Sequence, residues 1–412
     1  MQKKQLFASL EIAEDEIRLL VGEYYMSRFN ILRFDVQKCA GVSNRNIEKP
    51  QLVSATITKM IRNAEDGLGM KIKSVILTIP SVDVKCVRRR VSVPIEEGSR
   101  KILLSHIRKG LEKATEYEGE EKYTFVNVGS IKYIIGGISS RTMPLDEKAE
   151  LLTMDVDLLF ANKDIVYSYV MCVEKAGLSV LDICLDSYAI AEESAALENS
   201  MDKYVLLLDL SKYSTTLSLY YKGNLIGNDR EKLGYEKWIQ AVHKKFHLSI
   251  KECEEIILEN CFLENGQYDE SVSYIWLDHE ESKQVTKEEV YNAVYDEMKH
   301  WINTINEASS FVEKSGECKL ILTGQGADIV GISSLTKMFS IPAELYVPTT
   351  LGARKSSLTA VLGALYCVKK WQYIKNDNDT CVEVSNLTPR EREREDQSAF
   401  TKKLKNILLM NK

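Results

Sequence analysis

The sequence of 412 residues lacks the paired cysteines and clustered histidines that build disulfide frameworks and metal sites. Its nine cysteines are an odd number, they are scattered from Cys39 to Cys381, and no two form a CxxC pair. We therefore expect buried thiols. Of the five histidines, His243 and His247 share a helix face at i and i+4, but no third ligand is near in the sequence. We predict no metal site and ordinary helix-surface positions for both.

Long apolar runs are also missing. No stretch approaches the roughly 18 uncharged apolar residues of a transmembrane helix. Residues 1–16 lack the long apolar segment and cleavage site of a secretory signal, so we expect a cytoplasmic location. The chain is 44% hydrophobic and 28% charged, with only seven prolines, a composition typical of a globular protein of two or more domains.

Basic clusters are rare, and the formal net charge is -6. The three arginines at positions 88–90 are flanked by strand-forming residues, and no aromatic platform accompanies them. Nucleic-acid binding usually needs an excess of basic residues or stacked aromatic side chains. We therefore predict no nucleic-acid partner, and we interpret residues 88–90 as part of a solvent-facing or interface strand.

The last fourteen residues, 399–412, contain no acidic side chain, although they carry four lysines and place apolar residues at helical spacing. This pattern predicts an amphipathic helix that binds anionic lipids. The alternative is a helix that docks on the chain's own globular body. The predicted membrane-binding residues are Phe400, Lys402, Lys403, Leu404, Lys405, Ile407 and Leu408.

Residues 375–398, which precede this helix, are polar and rich in alternating charges, which indicates a solvated flexible linker. One short helix binds a membrane only weakly, so stable attachment requires several copies acting together. Self-association of the globular body is therefore expected.

The order of strands and helices is repeated within the chain. Alternating and helical patterns predict strands at 5–12, 17–25, 29–36 and 73–80 with a helix at 50–68. A second set comprises strands at 204–209, 215–221 and 319–324 with helices at 235–246, 250–260 and 287–314. The repetition predicts a duplicated α/β fold with a cleft between its halves. Residues 83–166, with a helix predicted at 96–116, are not needed by the duplication and indicate an inserted subdomain.

Several segments carry a resemblance to a known family. They are LTIP at 77–80, CVEKAGLSVLDICLDSYAIAEE at 172–193, LLLDLSKYSTTLSLYYKGNLI at 206–226, LILTGQGADIVG at 320–331, SLTAVLGALY at 357–366 and the basic tail. In this order, and over essentially the whole chain, they resemble FtsA, the actin-like bacterial cell division protein. The resemblance implies an actin-like α/β fold, in which duplicated ribonuclease-H-type halves surround a cleft and one half carries an inserted subdomain.

The resemblance also implies a division into domains. The predicted parts are a first half (1–82 and 167–202), an inserted subdomain (83–166), a second half (203–233 and 313–374), its smaller subdomain (234–312), a flexible linker (375–398) and an amphipathic membrane-targeting helix (399–412).

The phosphate-binding loops of the family are altered here. Asp-Ile-Gly-Thr in the family corresponds to Glu-Ile-Ala-Glu at 11–14, followed by Asp15 and Glu16, so four acids would face a triphosphate. Like charges a few ångströms apart repel by roughly 1 to 4 kcal/mol at intermediate dielectric. The second loop, at 209–216, has lost its three glycines, and Thr216 stands where the family has a metal-holding acid. We expect the binding of ATP with Mg to be weak or absent, and we assign no catalytic residue.

The adenosine side of the cleft retains more of the family pattern, although Gln325 replaces a glycine and Ile257 replaces a lysine. If a nucleotide site is retained, the resemblance implies that the binding residues are Asp209, Thr215, Glu254, Gly324, Gly326 and Ala327. The alternative is that residues 323–326 form a simple turn between a strand and a helix.

The resemblance implies an adaptor rather than an enzyme, located on the cytoplasmic side of the cell membrane at the division site. The implied partners are the FtsZ C-terminal peptide, anionic membrane lipids, other division proteins and further copies of the chain in a homopolymer. The peptide is expected on residues 234–312, where Lys244 and Lys245 are candidate contacts because an acidic peptide favours basic side chains. Two alternatives stay open: an actin-fold ATPase or kinase with unusual phosphate loops, and a PilM-like scaffold that needs no lipid-binding tail.

Overall fold

A computed structural model describes residues 5–96, 98–117, 119–260, 271–278, 281–375 and 377–382. The strands are β1 (Gln5–Ile12), β2 (Glu16–Tyr25), β3 (Arg28–Lys38), β4 (Val42–Ser43), β5 (Asn46–Ile47), β6 (Ser74–Ile79), β7 (Val84–Pro94), β8 (Tyr123–Ile135), β9 (Ile138–Ser140), β10 (Leu151–Asn162), β11 (Ser179–Leu185), β12 (Tyr204–Leu210), β13 (Thr215–Tyr221), β14 (Asn224–Glu231), β15 (Val272–Asp278), β16 (Glu281–Thr286), β17 (Cys318–Thr323) and β18 (Ala343–Leu345). The α-helices are α1 (Pro50–Leu68), α2 (Leu104–Thr115), α3 (Lys163–Lys175), α4 (Asp186–Glu193), α5 (Ala196–Asn199), α6 (Glu236–Phe246), α7 (Ile250–Glu255), α8 (Lys287–Ser315) and α9 (Thr359–Lys375).

Two five-stranded sheets of the same topology confirm the predicted duplication. The first has the order β11-β6-β1-β2-β3 and the second β18-β17-β12-β13-β14. In each sheet an antiparallel meander of three strands is followed by two parallel strands. Parallel neighbours require crossover connections, and α1 supplies the crossover from β3 to β6. The fold is therefore actin-like, with related halves on either side of a cleft.

The inserted segment forms a third sheet, of order β7-β10-β8-β9, against which α2 packs. On this sheet Arg88 and Arg90 lie directly opposite Asp157 and Asp155, with Nε–Oδ1 distances of 2.7 and 2.6 Å. Both arginine side chains are more than half exposed, so the interpretation of a solvent-facing strand is confirmed for these two residues. The boundaries of the domains stay predictions.

Local signals explain the best-predicted helix. In α1, Pro50 occupies the first turn and Gly69, with a φ of 67°, caps the C-terminus. The side chains of Val53, Ile57 and Ala64 recur at helical spacing and are buried against the first sheet and α3. The amphipathic pattern therefore fixes both the helix and its buried face.

Three predictions need correction. The helix predicted at 96–116 begins only at Leu104, because a turn at 98–99 and a positive φ of 51° at Arg100 interrupt the helical pattern. The helix at 250–260 ends as a π-helix over Ile256–Asn260. Among the described cysteines, Cys86 is exposed and Cys318 is half-buried, so the prediction of buried thiols is wrong for these two.

Candidate functional site

The two altered phosphate loops form turns that contact each other across the cleft. The first joins β1 to β2 and the second joins β12 to β13. Glu14 of the first turn is 2% exposed and accepts hydrogen bonds from the Tyr213 backbone N–H, at 2.6 Å, and from the Ser214 hydroxyl, at 2.5 Å. The Glu14 carboxylate, which belongs to the chain itself, is therefore the anion that binds the backbone of the second turn.

Arg230 on β14 neutralises this carboxylate. Its Nη2 lies 2.7 Å from Glu14 Oε1, and its Nε donates to the Ser214 hydroxyl at 2.8 Å. The same guanidinium donates to the Asn44 side-chain oxygen at 2.6 Å. A cation of the second half thus holds a buried acid of the first half, with charge-assisted hydrogen bonds on both sides.

A second group of charges lies beside it. The Lys212 ammonium is 3.0 Å from both Asp15 Oδ2 and Glu254 Oε1, and the Lys38 ammonium is 2.9 Å from the same two oxygens. Burial raises the pKa of Asp15, but the two lysines outweigh burial and hold that pKa below its usual value. Asp15 is therefore a charged carboxylate bound by two cations of the chain.

Arg18 on β2 lies between two further acids of the first loop. Its Nη1 is 3.0 Å from Glu11 Oε2 and its Nη2 is 2.7 Å from Glu16 Oε1. Burial raises the pKa of Glu11, with Arg18 opposing the shift and Asp209 adding to it. Each of the four acids of the first loop therefore has at least one cation partner within the chain.

Arg45 bridges the halves at the base of the cleft. It forms an ion pair with Asp186, and its Nη2 is 2.6 Å from Asp209 Oδ2. The β4–β5 hairpin carries it there on a two-residue turn, in which Asn44 and Arg45 have φ values of 53° and 62°. Burial raises the pKa of Asp209, and Arg45 opposes that shift.

We call these groups the cleft ion cluster. It comprises the carboxylates of Glu11, Glu14, Asp15, Glu16, Asp186, Asp209 and Glu254 and the cations of Arg18, Lys38, Arg45, Lys212 and Arg230. The cavity next to Asp209 has a volume of about 10 Å³, which is about the space of one water molecule. The cleft thus holds seven carboxylates and five cations of the chain, with Lys212 and Tyr213 in place of glycines, and weak or absent binding of a triphosphate with its metal stays a prediction.

The glycine turn after β17 packs directly on the second loop. Gly324 has a φ of 94°, and a Cβ added there would lie 2.2 Å from Asp209 Oδ1. A Cβ at Gly326 would lie 2.4 Å from Leu210 Cγ. Ala327 is buried behind them, and Gln325 donates to Glu16 Oε2 at 3.2 Å. Both glycines are thus required by protein packing, irrespective of a ligand.

The structure brings most of the predicted nucleotide residues to one place. Asp209 contacts the Gly324 turn, and Glu254 contacts Lys212. Thr215 is different: it is fully buried, donates to the Leu233 carbonyl at 2.7 Å and accepts from Trp301 Nε1 at 2.9 Å. Both of these hydrogen bonds of the Thr215 hydroxyl are therefore made within the second half. The assignment of these residues to a nucleotide stays a prediction.

Four cations, Arg18, Lys38, Arg45 and Arg230, and the acid Asp186 were not predicted from the sequence. Only Arg18 carried a usable signal, because a cation among the apolar residues at the start of a strand, beside four acids, indicates a buried ion pair. The other four come from segments outside the two loops, and no local pattern connects them to the loops.

The remaining predicted residues lie elsewhere. Lys244 and Lys245 are exposed on the last turn of α6, where Lys245 donates to the Glu289 carbonyl at 3.2 Å. The predicted membrane-binding residues, 400–408, lie outside the described residues. Within the described ranges, no helix is both long and apolar enough to cross a bilayer.

Comparison with curated proteins finds relatives along most of the chain. The cell division protein FtsA of Bacillus subtilis is 22% identical over 342 residues, which are 82% of this chain and 77% of that protein. FtsA of Enterococcus hirae is 21% identical and covers 88% of this chain and 83% of that protein. No protein-family model matches the sequence.

Solved structures agree on the fold. A type IV pilus biogenesis complex, PilM-PilN, contains a chain with a TM-score of 0.56 and 15% identity, covering 88% of this chain and 98% of that one. MreB5 of Spiroplasma citri bound to AMPPNP has a TM-score of 0.50 and 11% identity, covering 91% and 99%. This chain is therefore similar to FtsA over most of its length and has an actin-like fold.

Proposed function

We propose that this protein is an FtsA-like cell division adaptor that tethers FtsZ filaments to the cytoplasmic face of the cell membrane and self-polymerises, without catalysing a reaction. The observation that carries the proposal is the similarity to FtsA, which spans 82% to 88% of the chain and therefore includes both halves and the inserted segment. The function is one of coupling, in which one surface binds the filament and the tail binds lipid.

The proposed FtsZ-binding surface is the smaller subdomain of the second half, residues 234–312. It offers exposed lysines at 244 and 245, and its β15–β16 hairpin exposes Ile275 and Leu277 by 61% and 78%. Basic and apolar side chains together suit an acidic peptide that carries apolar anchors. Binding of a labelled FtsZ C-terminal peptide should weaken in a Lys244→Glu/Lys245→Glu variant and stay unchanged in Lys85→Glu, which alters the inserted subdomain.

The proposed membrane anchor is the segment 399–412. Full-length protein should co-sediment with vesicles that contain anionic lipid, and deletion of 399–412 should abolish this binding, because the segment provides both the apolar face and the lysines. A Lys402→Gln/Lys403→Gln/Lys405→Gln variant should bind anionic vesicles less and neutral vesicles no differently. Unchanged binding after the deletion would remove the anchor from the proposal.

We further propose that ATP binding is weakened or lost. The support is the cleft ion cluster, since Glu14 already occupies a backbone donor of the second turn and Lys212 already has two carboxylate partners. Calorimetry with Mg-ATP should detect no binding, with MreB5 of Spiroplasma citri, whose structure contains AMPPNP, as the positive control. Measurable affinity with turnover would instead favour the actin-fold ATPase or kinase.

A second candidate function is that of a PilM-like scaffold. The supporting observation is the PilM-PilN chain, of which 98% is covered at a TM-score of 0.56. This candidate needs a partner peptide but no lipid contact. A protein whose cellular position is unaffected by loss of residues 399–412 would favour the scaffold over the membrane adaptor.

A further inference from the structure

The outer strand of the first sheet, β3, has an open edge. It pairs with β2 and with no other strand among the described residues. Leu32, Phe34 and Val36 on this strand are 39%, 42% and 39% exposed, which is unusual for three large apolar side chains in a row of alternating positions. An open edge presents unused backbone N–H and C=O groups, which can pair with another strand.

The charges on β3 show which strand would fit. Arg33 and Asp35 form a bidentate pair within the strand, with distances of 2.6 Å from Nε to Oδ2 and 3.0 Å from Nη2 to Oδ1. They stand symmetrically on either side of Phe34, and the apolar Leu32 and Val36 lie just outside them. The segment 32–36 therefore reads apolar, positive, aromatic, negative, apolar.

This order is complementary to itself. In an antiparallel pair centred on Phe34, Arg33 of each copy lies opposite Asp35 of the other, and Leu32 lies opposite Val36. Opposite charges directly across from each other stabilise a sheet, and like charges destabilise it. An unrelated strand would need the same five-residue order, whereas a second copy always has it.

We propose that β3 pairs antiparallel with β3 of a second copy of this chain, on a twofold axis through Phe34, joining the two first sheets into one. The contact is isologous, so it forms a closed dimer rather than an open filament. It does not depend on the function proposed above, and it uses a surface outside the cleft. The loop at Gly352 lies close to β3 at Ile31, where an added Cβ would be 3.1 Å from Ile31 Cβ, so the proposed pairing uses the residues after Ile31.

Charge-swapped variants of the full-length chain test this pairing by sedimentation velocity over a concentration series. The native chain should dimerise. Asp35→Arg places two arginines on each strand and Arg33→Asp places two acids, so each variant should weaken its own dimer about tenfold or more. The double variant Arg33→Asp/Asp35→Arg should dimerise again. An equimolar mixture of the two single variants should form a heterodimer.

The rescue separates this contact from misfolding and from other self-association. Lys85→Glu, on the edge strand β7 of the inserted sheet, is the matched control and should leave the dimer unchanged. Circular dichroism should confirm that all variants are folded. A monomeric native chain, association that persists equally in both single variants, or a folded double variant that stays monomeric would each overturn the proposal.

Discussion

Arg45 has a side chain that is only 6% exposed, and its guanidinium contacts Asp186 of the first half and Asp209 of the second. Taking such a charge out of water is costly, and the attraction between the partners roughly offsets that cost. The pair therefore does not by itself add much stability over apolar residues. The ion pairs of Arg45 matter because removal of the arginine, or of a carboxylate partner, leaves the remaining group as a buried and uncompensated charge.

Replacing Arg45 by Met should consequently destabilise the protein by about 3–5 kcal/mol, because Asp186 and Asp209 would remain buried beside each other. Urea unfolding monitored by tryptophan fluorescence measures the change. Arg100→Met is the matched control, since its pair with Glu150 is more than half exposed on both sides and should contribute at most about 1 kcal/mol. Equal effects of the two substitutions would contradict a buried role for Arg45.

Gly324 illustrates what a sequence can and cannot establish at a single position. Its place in a turn after a strand was predictable, because glycine is the residue that adopts a positive φ at no steric cost. The sequence left open whether a nucleotide or the protein itself requires the missing Cβ. In the structure Asp209 Oδ1 lies 2.2 Å from the position that this Cβ would take, which is a long-range contact that no local pattern reveals.

At the scale of strands and helices, the regular elements were predictable and the short or polar ones were not. Strands β1 and β13 and helix α1 match their predicted bounds, because apolar residues alternate or recur every turn. The two-residue strands of the β4–β5 hairpin and the polar edge strand β14 have no such pattern. These unpredicted elements supply Arg45 and Arg230, so the cleft ion cluster could not be derived from the sequence.

The β4–β5 hairpin should be sensitive at Asn44. This residue combines a φ of 53°, which asparagine tolerates better than most residues, with a side-chain oxygen that accepts from Arg230 at 2.6 Å. Asn44→Ala should destabilise the protein by about 1–3 kcal/mol through backbone strain and the lost hydrogen bond. Chemical unfolding measures the effect, and Asn46→Ala, at an exposed position of the same hairpin, should change stability by less than about 0.5 kcal/mol. A larger loss at Asn46 than at Asn44 would refute this account.

At the scale of the whole molecule, the cleft ion cluster joins the halves through several ion pairs. Glu14 contacts Arg230, Asp15 contacts Lys212, and Lys38 contacts Glu254, each linking a residue before position 40 to one after position 210. Actin-fold halves can rotate about their connections, and a ligand bound by both halves favours the closed arrangement. Here the side chains themselves supply contacts to both sides, so closure should not require a nucleotide.

The backbone amide of Tyr213 reports on this closure, because in the closed arrangement it donates to Glu14 across the cleft. Arg230→Met would leave the buried Glu14 with only the more distant Arg45, whose Nε lies 4.0 Å away, and a penalty of about 3 kcal/mol would accelerate hydrogen exchange at that amide roughly a hundredfold. Amides of β10 in the inserted sheet should exchange at their native rate. Lys85→Met, which removes an exposed pair with Glu120, serves as the control and should leave both regions unchanged. Native exchange at Tyr213 in a folded Arg230→Met protein would mean that the pair with Glu14 does not hold the halves together.

If the halves also close without a nucleotide, addition of Mg-ATP should not slow exchange at Tyr213 in the native protein or in the variant.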